Sequence, residues 1–165
     1  KKGFIYYSLS DVIREEATKR SLEHSRDNLI NLGNELRKKF GASYLAQQIN
    51  NKIKQQFKKN KNQNFVVDSI RNPYEVKELM KNKDFILVGI EAPIELRFER
   101  LLKRNRLGDA KTLEEFKQQE QRENLKNSTN QQLDETFKLA KVIIVNDSSL
   151  EELHKKIDVL LKKQN

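Results

Sequence analysis

Asp68 and Arg71 stand three residues apart in Asn64-Phe-Val-Val-Asp-Ser-Ile-Arg-Asn-Pro73, the stretch of this chain best equipped for chemistry. A short apolar run delivers the carboxylate, and a turn then delivers the guanidinium. A carboxylate at the end of a buried strand can hold Mg²⁺, directly or through water, or accept a proton from a nucleophile. Its plainer use is to satisfy turn amides, but the cation beside it favours a functional reading. Asp11 has a similar setting, after the apolar stretch from Phe4 to Leu9 and at the start of a helical pattern. It can serve as a base, as a hydrogen-bond acceptor for a substrate, or simply as a complement to the helix dipole. Arg14 follows one turn later and can meet an anionic substrate.

A second group is cationic. Arg97, Arg100 and Arg104 form a stripe at i, i+3, i+7, with Lys103 and Arg106 nearby. Phosphoryl transfer needs cations over the developing charge of the transferred group. Any one of these arginines reads most simply as part of a solvated helix face. Together, just after a strand and before a polar segment, they suggest a polyanion site and a lid. Gly33 and Asn34 lie inside a helical pattern with Arg37. A mid-helix glycine costs about 1 kcal/mol relative to alanine, so either close packing or substrate approach is expected there. His24 and His154 stand apart, and no zinc site is expected.

The elements that must carry these groups alternate. Phe4 to Leu9 reads as a strand, and Ser10 as the cap of a helix from Asp11 to about Lys19. Ser25 caps a second helix that Gly41 stops, and Leu45, Ile49, Ile53 and Phe57 mark a third. The strand Phe65 to Ile70 leads into a helix with Asn72 at the cap, Pro73 at its first position and Glu75 at its third. Asp84 to Glu91 reads as another strand, and Pro93 with Glu95 as another helix start. Ile94, Phe98, Leu101 and Leu102 are expected to face the core. Thr112 and Glu115 form a capping box, Asn127 to Asn130 a turn, and Val142 to Val145 the last strand. Ser149 caps a final helix whose Leu150, Leu153, Ile157, Leu160 and Leu161 are expected on its buried side. Alternating elements with apolar strands predict an α/β fold, a parallel sheet covered by helices on both faces. One domain over residues 1–165 is expected, with a lid-like segment at about 100–126.

The 165 residues can bury a real core. Cysteine is absent, which excludes disulfides and thiolate metal sites. No apolar run approaches the roughly 20 residues of a membrane span, and no signal peptide is visible. A cytoplasmic protein without a membrane partner is therefore the expectation. The formal net charge of +9 suits a polyanion. The lysines are scattered and the aromatics form no stacking platform, so a phosphorylated small molecule is favoured over nucleic acid.

In their order and spacing these segments resemble the P-loop nucleotide kinase-like NTPases. The nearest likeness is to dephospho-CoA kinases and deoxynucleoside monophosphate kinases. The chain is also similar to the kinase-like domain fused to deoxycytidylate deaminases. The likeness rests on Tyr6 to Arg14, Gly33 to Arg37 with Gly41, Asp68 to Pro73, Ala92 to Arg104, and Ala140 to Asp147 followed by Ser149 to Leu153. It implies a three-layer α/β/α P-loop kinase-like fold that uses ATP and Mg²⁺ to phosphorylate a nucleotide-type acceptor or dephospho-CoA. It implies metal, base or acceptor roles for Asp68 and Asp11, and substrate contacts for Arg14, Arg37 and Arg71. Arg100 and Arg104 would serve the lid, and Asn146 would lie near the adenine. The second reading is a non-catalytic nucleotide-sensing domain that regulates a fused or associated deaminase.

One departure is large. Such kinases begin with a strand, G-x-x-x-x-G-K-[ST] and a helix. The glycines here are Gly3, Gly33, Gly41, Gly89 and Gly108, and none is so arranged. Lys1-Lys-Gly3 looks instead like the end of that first helix. The expectation is a chain whose first strand and P-loop are missing, by truncation in preference to degeneracy, and which is inactive alone.

Overall fold

A computed structural model describes residues 3–105, 108–122 and 131–162 of the chain. The element order is β1 (Ile5–Ser8), α1 (Leu9–Lys19), α2 (Arg26–Phe40), α3 (Tyr44–Lys59), β2 (Phe65–Asp68) and α4 (Pro73–Leu79). Then come β3 (Val88–Glu91), α5 (Ile94–Arg104), α6 (Leu113–Arg122), α7 (Leu133–Phe137), β4 (Val142–Val145) and α8 (Leu150–Lys162). Successive described strands are separated by three helices, one helix and three helices. The expected turn at Asn127 to Asn130, Arg106 and the end of the lid-like segment fall outside the described residues.

All pairing among the described strands is parallel. β1 pairs with β2, Ile5 opposite Phe65 and Ser8 opposite Asp68, while β3 pairs with β4, Val88 opposite Val142 and Glu91 opposite Val145. The result is a mixed α/β fold whose described strands form two separate two-stranded sheets. Neither β2 nor β3 is bridged to the other pair, and neither pair is covered on both faces. Tyr6, Val66, Ile90, Ile143 and Val145 are exposed. Side chains alternate along a strand, so Tyr7, Phe65 and Val67 turn the other way, onto the core.

That core is built by helices. Leu9, Val12, Ile13 and Ala17 of α1, Leu32 and Leu36 of α2, and Leu45, Ala46, Ile49 and Ile53 of α3 form one buried cluster. Gly33 permits the closest approach in it, since a Cβ there would lie 2.9 Å from Ile13 Cδ1. Asn50 is buried in α3 and donates to Glu78 O and Oε1 of α4 at 2.9 and 3.0 Å. A second, smaller cluster holds Leu101, Ala110 and Phe116.

Caps behave largely as their residue types dictate. Ser25 Oγ accepts from Asn28 N, Asn72 Oδ1 from Tyr74 N, and Thr112 with Glu115 closes the reciprocal box. Four expectations are corrected. α1 begins at Leu9, not Asp11, because the chain passes from strand to helix without a break; Ser10 lies inside the helix. β3 is limited to its last four residues, with 85–87 outside regular structure. Pro93 occupies the cap position of α5 itself and has no acceptor to offer. Leu102 and Leu150 are exposed, because α5 buries only Leu101 fully and α8 buries no residue fully.

Candidate functional site

The carboxyl ends of β1 and β2 carry a cluster of polar side chains. Tyr6 and Ser8 alternate onto the same face as Val66 and Asp68. Tyr6 Oη donates across the pair to Asp68 Oδ2 at 2.7 Å. That hydrogen bond, with some burial and the negative charge, pushes the Tyr6 phenol above its ordinary value. Ser69 follows Asp68 with φ of 60°, a left-handed conformation that costs a non-glycine residue of order 1–3 kcal/mol. The turn brings three hydroxyls together. Ser8 Oγ donates to Ser69 Oγ at 3.1 Å, and Ser10 Oγ lies 2.8 Å from Ser8 Oγ and 3.3 Å from Ser69 Oγ.

Helix α1 adds the charged part. Its first turn presents Asp11, and one turn later Arg14 Nη1 donates to both Ser10 Oγ at 2.8 Å and Asp11 Oδ1 at 2.9 Å. Asp11 is therefore engaged as the partner of Arg14 and orients it. Arg14 remains partly exposed and holds its charge at the sheet edge. Asp68, Asp11 and Arg14 all lie at the carboxyl ends of β1 and β2 or in the helical turn that follows β1.

Arg71 sits at the start of α4 and links this edge to the second half. Its carbonyl accepts from Gln132 N at 2.7 Å, and its Nη1 donates to Gln131 Oε1 at 2.9 Å. Its amide donates to Glu75 Oε2 at 2.9 Å. The other oxygen, Glu75 Oε1, receives Arg37 Nε at 2.9 Å and Nη2 at 2.8 Å. Arg37 and Glu75 are 2% and 0% exposed. Burial pushes the Glu75 carboxyl up, opposed by the Arg37 charge and the backbone amides of Arg71 and Asn72. The structure therefore places Arg37 inside the protein, bolting α2 to α4, and not at the sheet edge.

The arginine stripe is divided among internal acceptors. Arg97 Nε donates to Ala92 O at 2.9 Å, its Nη1 pairs with Glu120, and its guanidinium lies over the Phe116 ring. Arg100 donates to Asn146 O at 2.8 Å and Ser148 O at 3.1 Å, clasping the loop after β4. Asn146 N in turn donates to Glu91 O at 2.7 Å. Arg100 and Asn146 thus meet, but at the carboxyl ends of β3 and β4. Arg104 pairs with Asp109.

Several participants escaped the sequence reading. Tyr6, Ser8 and Ser69 became visible only through the strand register, which no local pattern specifies. Glu75 was read as a helix-start residue; its second role needed the packing of α2 against α4. Among the described residues no group of three or more His, Asp or Glu could hold a metal ion, so Asp68 stands as a single carboxylate. No described helix is long and apolar enough to cross a membrane.

An acid and a cation at the carboxyl edge of parallel strands suit a ligand site in an α/β fold. The model of the AAA domain family matches residues 1–117, so the fold is that of a P-loop NTPase-like, kinase-like, nucleotide-binding domain. The UPF0200 protein of Pyrococcus abyssi is 34% identical over 166 residues, covering 99% of this chain and 85% of that protein. That of Thermococcus onnurineus is 31% identical, covering 99% and 86%. The UPF0200/UPF0201 protein of Archaeoglobus fulgidus is 36% identical over 157 residues, and there the match spans 94% of this chain but only 46% of the relative. The chain belongs to the AAA domain family and to the UPF0200 proteins.

Proposed function

We propose that the chain carries the acceptor side and lid of a P-loop kinase-type phosphotransferase. Its acceptor would be a nucleoside monophosphate or dephospho-CoA, with ATP and Mg²⁺ as cofactors. The observation that carries this reading is the network of three serine hydroxyls, Arg14 and Asp11 at the sheet edge where Asp68 ends β2. Arg14, held by Asp11, meets the anionic group of the acceptor. Arg71 lies at the next loop and can add a second contact. The serine hydroxyls offer donors and acceptors to a sugar or phosphate. Asp68 takes a proton from the attacking group or holds Mg²⁺.

The residues present fit one metal ligand. Tyr6 engages Oδ2 of Asp68, and Mg²⁺ is commonly held by one or two carboxylates while phosphates and water complete its shell. When bound, it would neutralise phosphate charge. The residues do not fit the triphosphate, because the sequence contains no G-x-x-x-x-G-K-[ST] cradle. The unbridged edges of β2 and β3 support a parallel strand with a phosphate loop pairing between them, supplied from outside these residues. Asn146 and Arg100 would then flank the adenine and lid side.

The missing cradle equally favours a second reading, a nucleotide-sensing domain without catalysis that acts on an associated deaminase. Calorimetry of the purified chain with nucleoside monophosphates and dephospho-CoA tests both. One acceptor should bind, and Arg14→Ala should weaken it by about tenfold or more. No turnover of ATP is expected from the chain alone. Turnover would overturn the assignment of the triphosphate cradle to another segment. Binding insensitive to Arg14→Ala, or no binding, would remove the acceptor site.

A further inference from the structure

Gly108, shortly after α5, lies against Arg26, the first residue of α2. Asn105 ends α5 in the left-handed region with φ of 44°, and Gly108 has φ of 81°. A Cβ on Gly108 would lie 3.3 Å from Arg26 Cβ, so a side chain there would press on α2. Ala110 is buried against Leu101 and Phe116, and Gln119 Nε2 donates to Gly108 O at 3.2 Å. Between these anchors stands Asp109, whose side chain is only 8% exposed. Arg104 Nη2 donates to its Oδ1 at 2.8 Å and its Oδ2 at 2.9 Å, and Nε donates to Oδ2 at 3.2 Å. Arg26 Nη1 lies 3.6 Å from Oδ1.

We propose that Arg26 and Arg104 form an anion site whose present occupant is Asp109, and that a phosphate-bearing ligand displaces this carboxylate. Two guanidinia converge on one carboxylate, the arrangement that also grips a phosphate oxygen pair. A phosphate carries more charge and more acceptor oxygens than a carboxylate, so it competes for the same donors. There is room beside it. A cavity of about 410 Å³ opens at Asp109, lined also by Leu101, Leu102, Asn105 and Lys111, and Lys111 adds a third cation. Asp109 then acts as a latch. While it holds Arg104, the end of the arginine stripe is closed against α2; when it is displaced, Arg104 is delivered to the ligand. The site stands on geometry alone, and only the claim that its ligand is the phosphorylated substrate rests on the function proposed above.

The test uses the whole chain and inorganic pyrophosphate in low salt. By calorimetry, Asp109→Asn should bind pyrophosphate about tenfold more tightly than the unaltered chain. Arg104→Met added to Asp109→Asn should cancel the gain. Glu151→Gln, which makes the same change in net charge on exposed α8, should give none. Equal or weaker binding by Asp109→Asn would overturn the proposal, as would a gain that survives Arg104→Met or is matched by Glu151→Gln. If Asp109→Asn fails to fold by circular dichroism, the unaltered chain decides. The Nε–Hε resonance of Arg104 should shift on adding pyrophosphate, and a resonance that stays still refutes the latch. Binding of pyrophosphate here without any nucleotide binding would remove the function proposed above and leave the latch intact. Nucleotide binding through Arg14 with no Asp109 effect would do the reverse.

Discussion

The two strand pairs make the same parallel ladder, yet they are supported very differently. Around β1 and β2, helices α1 to α3 and Leu79 of α4 supply one buried cluster, the buried Arg37–Glu75 pair joins α2 to α4, and the polar edge is held by serine hydroxyls and the Arg14–Asp11 pair. Around β3 and β4, the buried cluster shrinks to Leu101, Ala110 and Phe116, and α8 has no fully buried residue. There the arginines do much of the joining, through carbonyls and partly buried carboxylates. Such contacts contribute little stability but exchange readily with water or a ligand. The comparison separates a half joined through a buried helical core from a half joined largely by arginine contacts.

The hardest blow to the first half should come from its buried pair. Arg37→Met leaves Glu75 enclosed without its counter-charge, and should destabilise the fold by about 3–5 kcal/mol in urea unfolding. Replacing both partners, Arg37→Met with Glu75→Leu, should recover most of that loss. If the double variant is as unstable as the single one, the pair is not the element that joins α2 to α4.

The second half should respond more weakly and more unevenly. A Cβ on Gly89 would lie 2.7 Å from Phe137 Cε2, so Gly89→Ala should cost about 1–3 kcal/mol by strand displacement or ring movement. Leu150 is 67% exposed, and Leu150→Ala should change stability by less than about 0.5 kcal/mol. A large loss at Leu150 would mean that α8 is buried against something, and the contrast between the halves would narrow.

The smallest effect concerns the Tyr6 phenol. Asp68 raises it above the ordinary tyrosine value, chiefly by accepting its proton in a hydrogen bond. The bond therefore stabilises the folded state below that ordinary value, and the gain is lost as pH rises through the folded-state value. Phenolate absorbance in Asp68→Asn should show Tyr6 ionising at lower pH than in the unaltered chain. An unchanged titration would show that the two side chains do not meet in solution. Tyr6 is mostly exposed, so the accompanying change in stability should be slight.

Much of the architecture was written in local patterns. The spacing of Leu45, Ile49 and Ile53 gives α3, Asn72-Pro73 gives the start of α4, and Thr112 with Glu115 gives the start of α6. An acid and a cation of the sheet edge, Asp68 and Arg14, were legible because strand ends and first helical turns place functional groups at the same edge. What stayed hidden depended on distant partners. Tyr6 meets Asp68 only because Ile5 is in register with Phe65, and a shift of one residue would turn Asp68 to the other face. Arg37 carried the same sequence signal as Arg14, a helical arginine near the acceptor region, and only packing against Glu75 distinguishes the two. Apolar composition likewise could not tell strands covered on both faces from strands with one face open, as Val66 and Ile143 are.

The register also sets an order of events. Ile5 pairs with Phe65, sixty residues later, and Val88 with Val142, fifty-four residues later. Neither ladder can begin until the intervening helices have been synthesised, and closing such loops slows folding more than it weakens the product. On a growing chain, β1 must wait without a partner while α1, α2 and α3 emerge. The helical cluster can collapse first and hold both strand ends close when β2 arrives. By then β4 has not been made, so the first half should assemble as a unit before the second begins.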